Sequence, residues 1–141
     1  MLHDADYQKL LAFRTSLRRF LHWSETQAQA HGMTAAQHQL LLAIAGHEGE
    51  RGPTVGDVAE ALLLKHHSAV GLVDRAAAAR LVERIPDPLD HRVVRLRLTA
   101  LGRRRLESLS EAHLEELRYL APALGGLLRA TDSMLSGEAS A

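Results

Sequence analysis

The sequence predicts a mainly α-helical fold with one small β-hairpin, and two observations lead to this prediction. Apolar residues recur at spacings of three and four through most of the chain, which is the period of an amphipathic helix. Two short runs, residues 81–86 and 93–98, are strand-like instead, and the second alternates apolar with charged residues as a half-buried strand does. A length of 141 residues fits one domain.

Capping residues mark the first two helices. The first helix is predicted from Ala5 to about Ala30, and Gly32 ends it because glycine favours the backbone conformation that closes a helix. The second helix is predicted to begin after Thr34, which has Gln37 three residues later as a capping box requires. It should end near Gly46 to Gly49.

Two more helices are predicted before the hairpin, and two after it. Thr54, with Asp57 three residues on, predicts a short third helix, and a fourth helix should run from about His66 to Ala79. After the hairpin, Thr99 is predicted to cap a fifth helix, and Pro122 to separate it from a sixth that covers residues 123 to about 135. We expect residues 137–141 to be a disordered tail.

The composition excludes several classes of function. The chain has no cysteine, which removes disulfides, thiolate nucleophiles and cysteine-based zinc sites. Nine histidines are present, but none are spaced as H-x-x-x-H or H-E-x-x-H, and neither G-x-S-x-G nor a glycine-rich phosphate loop occurs. We therefore expect no metal, no cofactor and no enzymatic activity.

The cellular location is predicted from the apolar runs and the N-terminus. No apolar run approaches the roughly 18 to 20 residues that would span a bilayer. The N-terminal residues place acids before the first base and lack the small-residue cleavage site of a secretion signal. These features favour a cytoplasmic protein.

The charges are segregated along the chain although the net charge is zero. Residues 65–105 contain ten Lys and Arg against four Asp and Glu, whereas residues 1–64 and 106–141 are both net acidic. Nine of those ten bases are Arg, whose forked guanidinium suits contacts to phosphates and base edges. The middle segment therefore predicts a surface that faces a polyanion.

The third and fourth predicted helices have the pattern of a helix-turn-helix. The first helix of such a pair needs a small residue where the two cross, and Ala59 supplies it. The second helix must bury one stripe and present the other to a groove. The apolar residues of the pair fit this requirement: Val58, Leu62, Leu64, Ala69 and Leu72.

The basic hairpin that follows turns this pair into a winged helix. Its tip is stiffened by Pro86 and Pro88, and Asp90 is placed to orient the guanidinium of Arg92. An arginine held outward in this way can enter the minor groove, where narrow A·T tracts concentrate negative potential. The hairpin is therefore predicted to bind double-stranded DNA.

Nearly the whole chain resembles the MarR (multiple antibiotic resistance regulator) family of bacterial transcription factors. "MTAAQHQLLLAI" looks like the second helix of that family, "TVGDVAEALLLKHHSAVGLVDR" its helix-turn-helix and "LVERIPDPLDHRVVRLRLTALG" its wing. The most specific match is a D-P-x-D-x-R wing followed by L-T-x-x-G, which comprises Asp87, Pro88, Asp90, Arg92, Leu98, Thr99 and Gly102.

The resemblance implies a domain organisation and a set of partners. Residues 1–32 and 103–136 would be dimerisation helices, and residues 34–100 the winged helix-turn-helix. The implied function is that of a homodimer on a pseudo-palindromic operator, usually a repressor released by a small-molecule effector. A winged helix that binds protein partners and no longer binds DNA is the alternative, although the basic middle segment argues against it.

The predicted DNA-binding residues lie on the fourth helix and the hairpin. They are Lys65, His66, His67, Ser68, Val70, Gly71, Arg75, Asp90, His91, Arg92 and Arg95. Gly71 is unusual inside a helix, which indicates either a close backbone approach or simple tolerance. The family often has a glycine where this chain has Arg80, so we expect the fourth helix to run slightly further.

The single tryptophan, Trp23, has two interpretations. It lies on the long first helix, where it would belong either to a dimer core or to the wall of a ligand pocket. His22 and His38 are the other candidate pocket residues.

Overall fold

The computed structural model describes residues 1–139 as five helices and two strands. The helices are α1 (Asp4–Ala30), α2 (Ala35–Ala45), α3 (Val55–Ala61), α4 (His66–Ala78) and α5 (Ala100–Ala139), and the strands are β1 (Val82–Pro86) and β2 (Val94–Leu98). The mainly helical prediction with one small hairpin is confirmed. No helix in this part of the chain is long and apolar enough to cross a membrane.

The chain divides into two compact units. The first comprises residues 1–26 together with the chain from Glu111 onward, and the second comprises residues 27–110. The second unit contains α2, α3, α4, the hairpin and the beginning of α5. Its core consists of aliphatic side chains from each of these elements, among them Leu40, Leu41, Val58, Val73, Leu81, Leu96 and Leu109. Burial of each such side chain stabilises the unit by about 1.5–3 kcal/mol.

The predicted helix starts are confirmed at atomic detail. The hydroxyls of Thr34 and Thr54 accept from the amides of Gln37 and Asp57, each at 3.1 Å, and both reciprocal bonds of the capping boxes are present. Thr99 caps α5 by accepting from the amide of Gly102 at 3.0 Å. These caps satisfy donors that would otherwise lack a partner at the helix ends.

Three helices end in the same left-handed turn, although only one of them uses glycine. The second residue after the helix has a φ of +74° at Gly32, +56° at Leu63 and +61° at Arg80. At the end of α4, for example, the amide of Arg80 donates to the carbonyl of Ala77 and the next amide donates to that of Ala76, both at 3.0 Å. The expectation that α4 runs further at Arg80 is therefore wrong, because Arg80 itself adopts the conformation that glycine favours.

The hairpin is regular, and its base docks against the loop before α3. Val82 pairs with Leu98 and Pro86 with Val94 in an antiparallel register, so that Leu96 and Leu98 point into the core. The amide of Leu96 donates to the carbonyl of Pro53 at 2.8 Å. Gly52 permits this approach, since a Cβ there would lie 2.3 Å from the carbonyl oxygen of Leu96.

The C-terminal helix corrects two predictions. α5 is continuous from Ala100 to Ala139 with Pro122 inside it, so the separate sixth helix is wrong. Proline removes one backbone donor and crowds the preceding turn, and Gly125 and Gly126 are weak helix formers, so the local sequence alone does not explain the continuous helix. Residues 137–139 of the expected disordered tail are helical, whereas residues 140–141 lie outside the described part of the chain.

The first unit has a small aromatic cluster and a wide exposed apolar surface. The Trp23 ring lies 4.8 Å from the ring of His113 and 6.0 Å from that of Phe20, measured between centroids. His113 Nε2 and the hydroxyl of Ser24 are hydrogen-bonded at 2.7 Å. Large apolar side chains on the same two helices remain exposed, including Leu10, Leu11, Leu17, Leu21, Leu114, Leu117 and Tyr119.

Candidate nucleic-acid interface

Helix α4 has one buried and one exposed face. Ala69, Leu72, Val73 and Ala76 form the buried stripe, which leaves the opposite face open to solvent. The predicted DNA-binding residues of this helix are on the exposed side or at its edge: Lys65, His66, His67, Ser68 and Arg75 are exposed, and Val70 and Gly71 are half-buried. A helix that presents such a face is suited to the major groove.

Gly71 gives room to the side chain of Arg75. A Cβ at position 71 would lie 3.2 Å from Nη1 of Arg75, which is closer than an ordinary van der Waals contact. The guanidinium of Arg75 therefore lies back along the helix over Gly71. The sequence indicated either a close backbone approach at Gly71 or simple tolerance of the glycine. In the structure the group that lies close to Gly71 is the side chain of Arg75.

The tip of the wing, residues 87–93, has the Asp–Arg pair that the sequence predicts. Nε and Nη2 of Arg92 donate to Oδ1 and Oδ2 of Asp90, each at 3.0 Å, and the backbone amide of Arg92 also donates to Oδ1. These bonds lower the pKa of Asp90 and raise that of Arg92. The guanidinium is oriented by this pair while the Arg92 side chain stays 91% exposed.

A buried carboxylate, that of Asp87, holds the backbone of the wing tip. Asp87 is 1% exposed, and its Oδ1 accepts from the amides of Leu89 and Asp90 at 2.8 and 3.2 Å. Nη1 of Arg51 donates to both carboxylate oxygens at 3.1 Å, and Nε of Arg95 donates to Oδ2 at 3.0 Å. These hydrogen bonds lower the pKa of Asp87 from 3.8 to about 2, although burial of the carboxylate acts in the opposite direction. The bond from the Leu89 amide lowers the pKa most, followed by those from Arg95, the Asp90 amide and Arg51.

Sequence reasoning missed Arg51 and gave Arg95 a different role. Arg51 lies 36 residues before Asp87, in a segment without a motif, so no local signal could have joined them. Arg95 was predicted as a DNA contact, but its Nε is bound to Asp87 and its Nη1 donates to the carbonyl of Gly52 at 3.3 Å. The structure thus places Arg95 in the anchor of the wing, and its contact with DNA stays a prediction.

A second ion pair joins the wing to α4. Nη2 of Arg84, on β1, donates to Oδ1 of Asp74 on the exposed face of the helix. Asp74 was not among the predicted site residues. Its pairing with Arg84 offsets the negative charge of Asp74 and joins β1 to α4 at the surface.

Two of the three candidate pocket residues lie in the first unit and the third lies in the second, so their grouping in one pocket stays a prediction. Trp23 and His22 line a surface depression of about 470 Å³ together with Arg18, Arg19 and Thr26, all from α1. His38 is buried in the second unit and is not among the residues that line this depression. Within the described residues, no group of three or more metal-ligating side chains is assembled.

The fold and this surface define a winged helix-turn-helix protein, and comparison with known proteins shows which family it resembles. A family model described as the MarR family matches residues 31–93. An uncharacterized HTH-type transcriptional regulator of Bacillus subtilis (strain 168), YsmB, is 35% identical over 65 residues. That match covers 46% of this chain and 44% of the relative, less than half the length of either protein.

Solved structures resemble the chain over almost its whole length. AbsC, a MarR family transcriptional regulator from Streptomyces coelicolor, has a TM-score of 0.71 at 25% identity and covers 99% of this chain and 95% of its own. The MepR–DNA complex of S. aureus has a TM-score of 0.68 at 19% identity, with 89% and 93% coverage. Residues 31–93 therefore match the MarR family model, and the fold over nearly the whole chain resembles that of solved MarR family regulators.

Proposed function

We propose that this chain is a sequence-specific, double-stranded DNA-binding transcription regulator. It acts as a homodimer on a pseudo-palindromic operator, and it is a repressor that a small-molecule effector releases. The observation that carries the proposal is the rigid wing, which presents the exposed guanidinium of Arg92 on a turn fixed by Asp87 and Asp90.

The wing supports DNA binding because it is ordered before any ligand arrives. The Arg92 guanidinium is already oriented by Asp90, so little side-chain entropy remains to be lost when it contacts DNA. Positive charge in the minor groove is favoured where the groove is narrow. His91, also exposed, lies beside Arg92 and would add a contact to the phosphate backbone.

The recognition helix supports sequence-specific binding. A major groove about 12 Å wide admits one α-helix, and the exposed face of α4 extends from Lys65 to Arg75. Lys65 would contact phosphates, while His66, His67 and Ser68 offer hydrogen-bonding groups to base edges. The wing and the helix would then bind adjacent grooves of the same duplex.

The exposed apolar surface of the first unit supports the homodimer. Leucines such as Leu10, Leu11, Leu17 and Leu21 on α1 are exposed, and apolar side chains exposed together on one helix are typical of a protein interface. A twofold dimer would cover this surface and place two recognition helices about one turn of DNA apart. A pseudo-palindromic operator follows from that symmetry.

The effector is proposed to bind at the depression on α1. Trp23 offers an apolar ring, while His22 and Thr26 offer polar contacts. Binding there would act on the helix whose apolar surface forms the dimer, which is a route to changing the spacing of the two DNA-binding units. The distance between the two DNA-binding units must match the distance between the two half-sites of the operator if both units are to bind at once.

The proposal is tested by selecting bound sequences from genomic DNA and measuring affinity for the selected duplex by fluorescence anisotropy. Wild-type protein should prefer this duplex to random DNA by about a thousandfold or more. Arg92→Ala should weaken binding, whereas Arg118→Ala, which removes the same charge from α5, should leave it within about twofold. Absence of any sequence preference would contradict the proposal and favour a protein-interaction module.

A further inference from the structure

We propose that Leu89 is an apolar wedge that enters the minor groove of bound DNA beside Arg92. The inference rests on the proposed function and adds to it a residue that influences which base pairs the wing binds. Leu89 occupies the tip of the wing and is 76% exposed. No residue of the predicted DNA-binding set is apolar in this part of the chain.

The backbone that carries Leu89 is held by hydrogen bonds on both sides. The Leu89 amide donates to the buried carboxylate of Asp87 at 2.8 Å, and the Asp87 amide donates to the carbonyl of Val93 at 2.9 Å. The Val93 amide in turn donates to the carbonyl of Asp90 at 3.0 Å. The leucine therefore points away from the core because the turn is fixed in that orientation, and not because the loop is loose.

An apolar side chain held in this way is suited to the sugar walls and base edges of a minor groove. The polar and charged groups around it, Arg92 and His91 above all, favour a polyanion over an apolar protein surface. Apolar wedges widen or unstack base steps in this groove, and pre-ordering of the turn lowers the entropy lost on insertion. Leu89 should thus favour A·T steps, which present no amino group on the groove floor.

Base substitutions that change only the minor groove test this inference. The duplex selected by the wild type is prepared with A·T, G·C or inosine·C pairs facing the wing; inosine keeps the major-groove edge of guanine but lacks its minor-groove amino group. Wild type should bind the A·T and inosine·C duplexes alike and the G·C duplex about tenfold more weakly. Leu89→Ala should reduce this preference to about threefold or less and weaken binding to the A·T duplex, and Leu89→Met should retain both.

Leu42→Ala is the matched control, because Leu42 is an exposed leucine on α2, away from the wing. Hydrogen exchange at residues 89 and 90 should be the same in wild type and Leu89→Ala, which shows that the turn stays formed. If Leu89→Ala behaves like Leu42→Ala on all three duplexes, the wedge is overturned and the proposed function is unaffected. If wild type prefers no duplex to random DNA, the proposed function fails and the wedge with it.

Discussion

Arg51 and Asp87 connect two separate parts of the second unit, since one nitrogen of Arg51 donates to both carboxylate oxygens of Asp87 at 3.1 Å. Arg51 comes from the loop before α3, whereas Asp87 begins the tip of the wing. The pair fixes the wing to the helix-turn-helix through a residue outside both. The orientation of Arg92 and Leu89 thus depends on a side chain that need not contact DNA.

The first prediction concerns this anchor. Arg51→Ala should speed hydrogen exchange at the amides of Leu89 and Asp90, because their acceptor Asp87 loses a partner that holds it in place. Operator affinity should fall as the wing loses its fixed orientation. Arg103→Ala, at an exposed position on α5, is the charge-matched control and should leave the exchange rates unchanged.

The second prediction concerns acid stability. The folded-state pKa of Asp87, about 2, lies below the ordinary value of 3.8, so its ionised form stabilises the fold above pH 4 and this contribution is lost as the pH falls through 2. Urea unfolding between pH 5 and pH 2 should show a smaller loss of stability for Asp87→Asn than for wild type over that interval. Asp4→Asn, on α1, should keep the wild-type slope; an Asp87→Asn slope equal to that of wild type would contradict the assignment.

The third prediction concerns the left-handed turn after α3. Leu63 has a φ of +56° and is 93% exposed, so a glycine there removes backbone strain and sacrifices little burial. Leu63→Gly should raise the free energy of unfolding by about 0.5–1 kcal/mol in thermal or urea unfolding. The same substitution at Leu42, inside α2, should lower it by about 1 kcal/mol. Destabilisation by both would show that the turn carries no strain.

The fourth prediction concerns assembly. Sedimentation at micromolar concentration should give about twice the 15.5 kDa mass of one chain. Leu17→Glu places a charge on the exposed apolar surface of α1 and should dissociate or unfold the dimer, while Leu42→Glu should not. A folded wild-type monomer at that concentration would contradict the homodimer.

Local signals in the sequence predicted most of the fold. Capping residues such as Thr34 and Thr54 act within four residues, so their helix starts could be inferred directly. Helix ends were harder: Arg80 adopts a glycine-like conformation because the buried side chains on both sides of it fix the turn, which propensity does not show. Pro122 was expected to end the helix, but α5 continues through it.

In the candidate site, too, contacts between residues close in sequence could be predicted and contacts between distant residues could not. The Asp90–Arg92 pair spans two residues and was predicted from spacing. The bonds of Asp87 to Arg51 and of Arg84 to Asp74 join different elements, so only the folded chain brings the partners together. The sequence therefore predicted the outward-facing groups and their local partner Asp90, but not Arg51 and Asp74, which bind the wing from other parts of the chain.

The salt dependence of operator binding tests the central claim most directly. Affinity of the wild type for its selected duplex should fall linearly with the logarithm of salt concentration, with a slope that reflects the phosphates contacted by the arginines of residues 65–105. Arg92→Ala should weaken binding about tenfold to a hundredfold with the dimer intact, whereas Arg118→Ala should match wild type in affinity and slope. A wild-type affinity independent of salt, or an Arg92→Ala dimer that binds as tightly as wild type, would contradict the account.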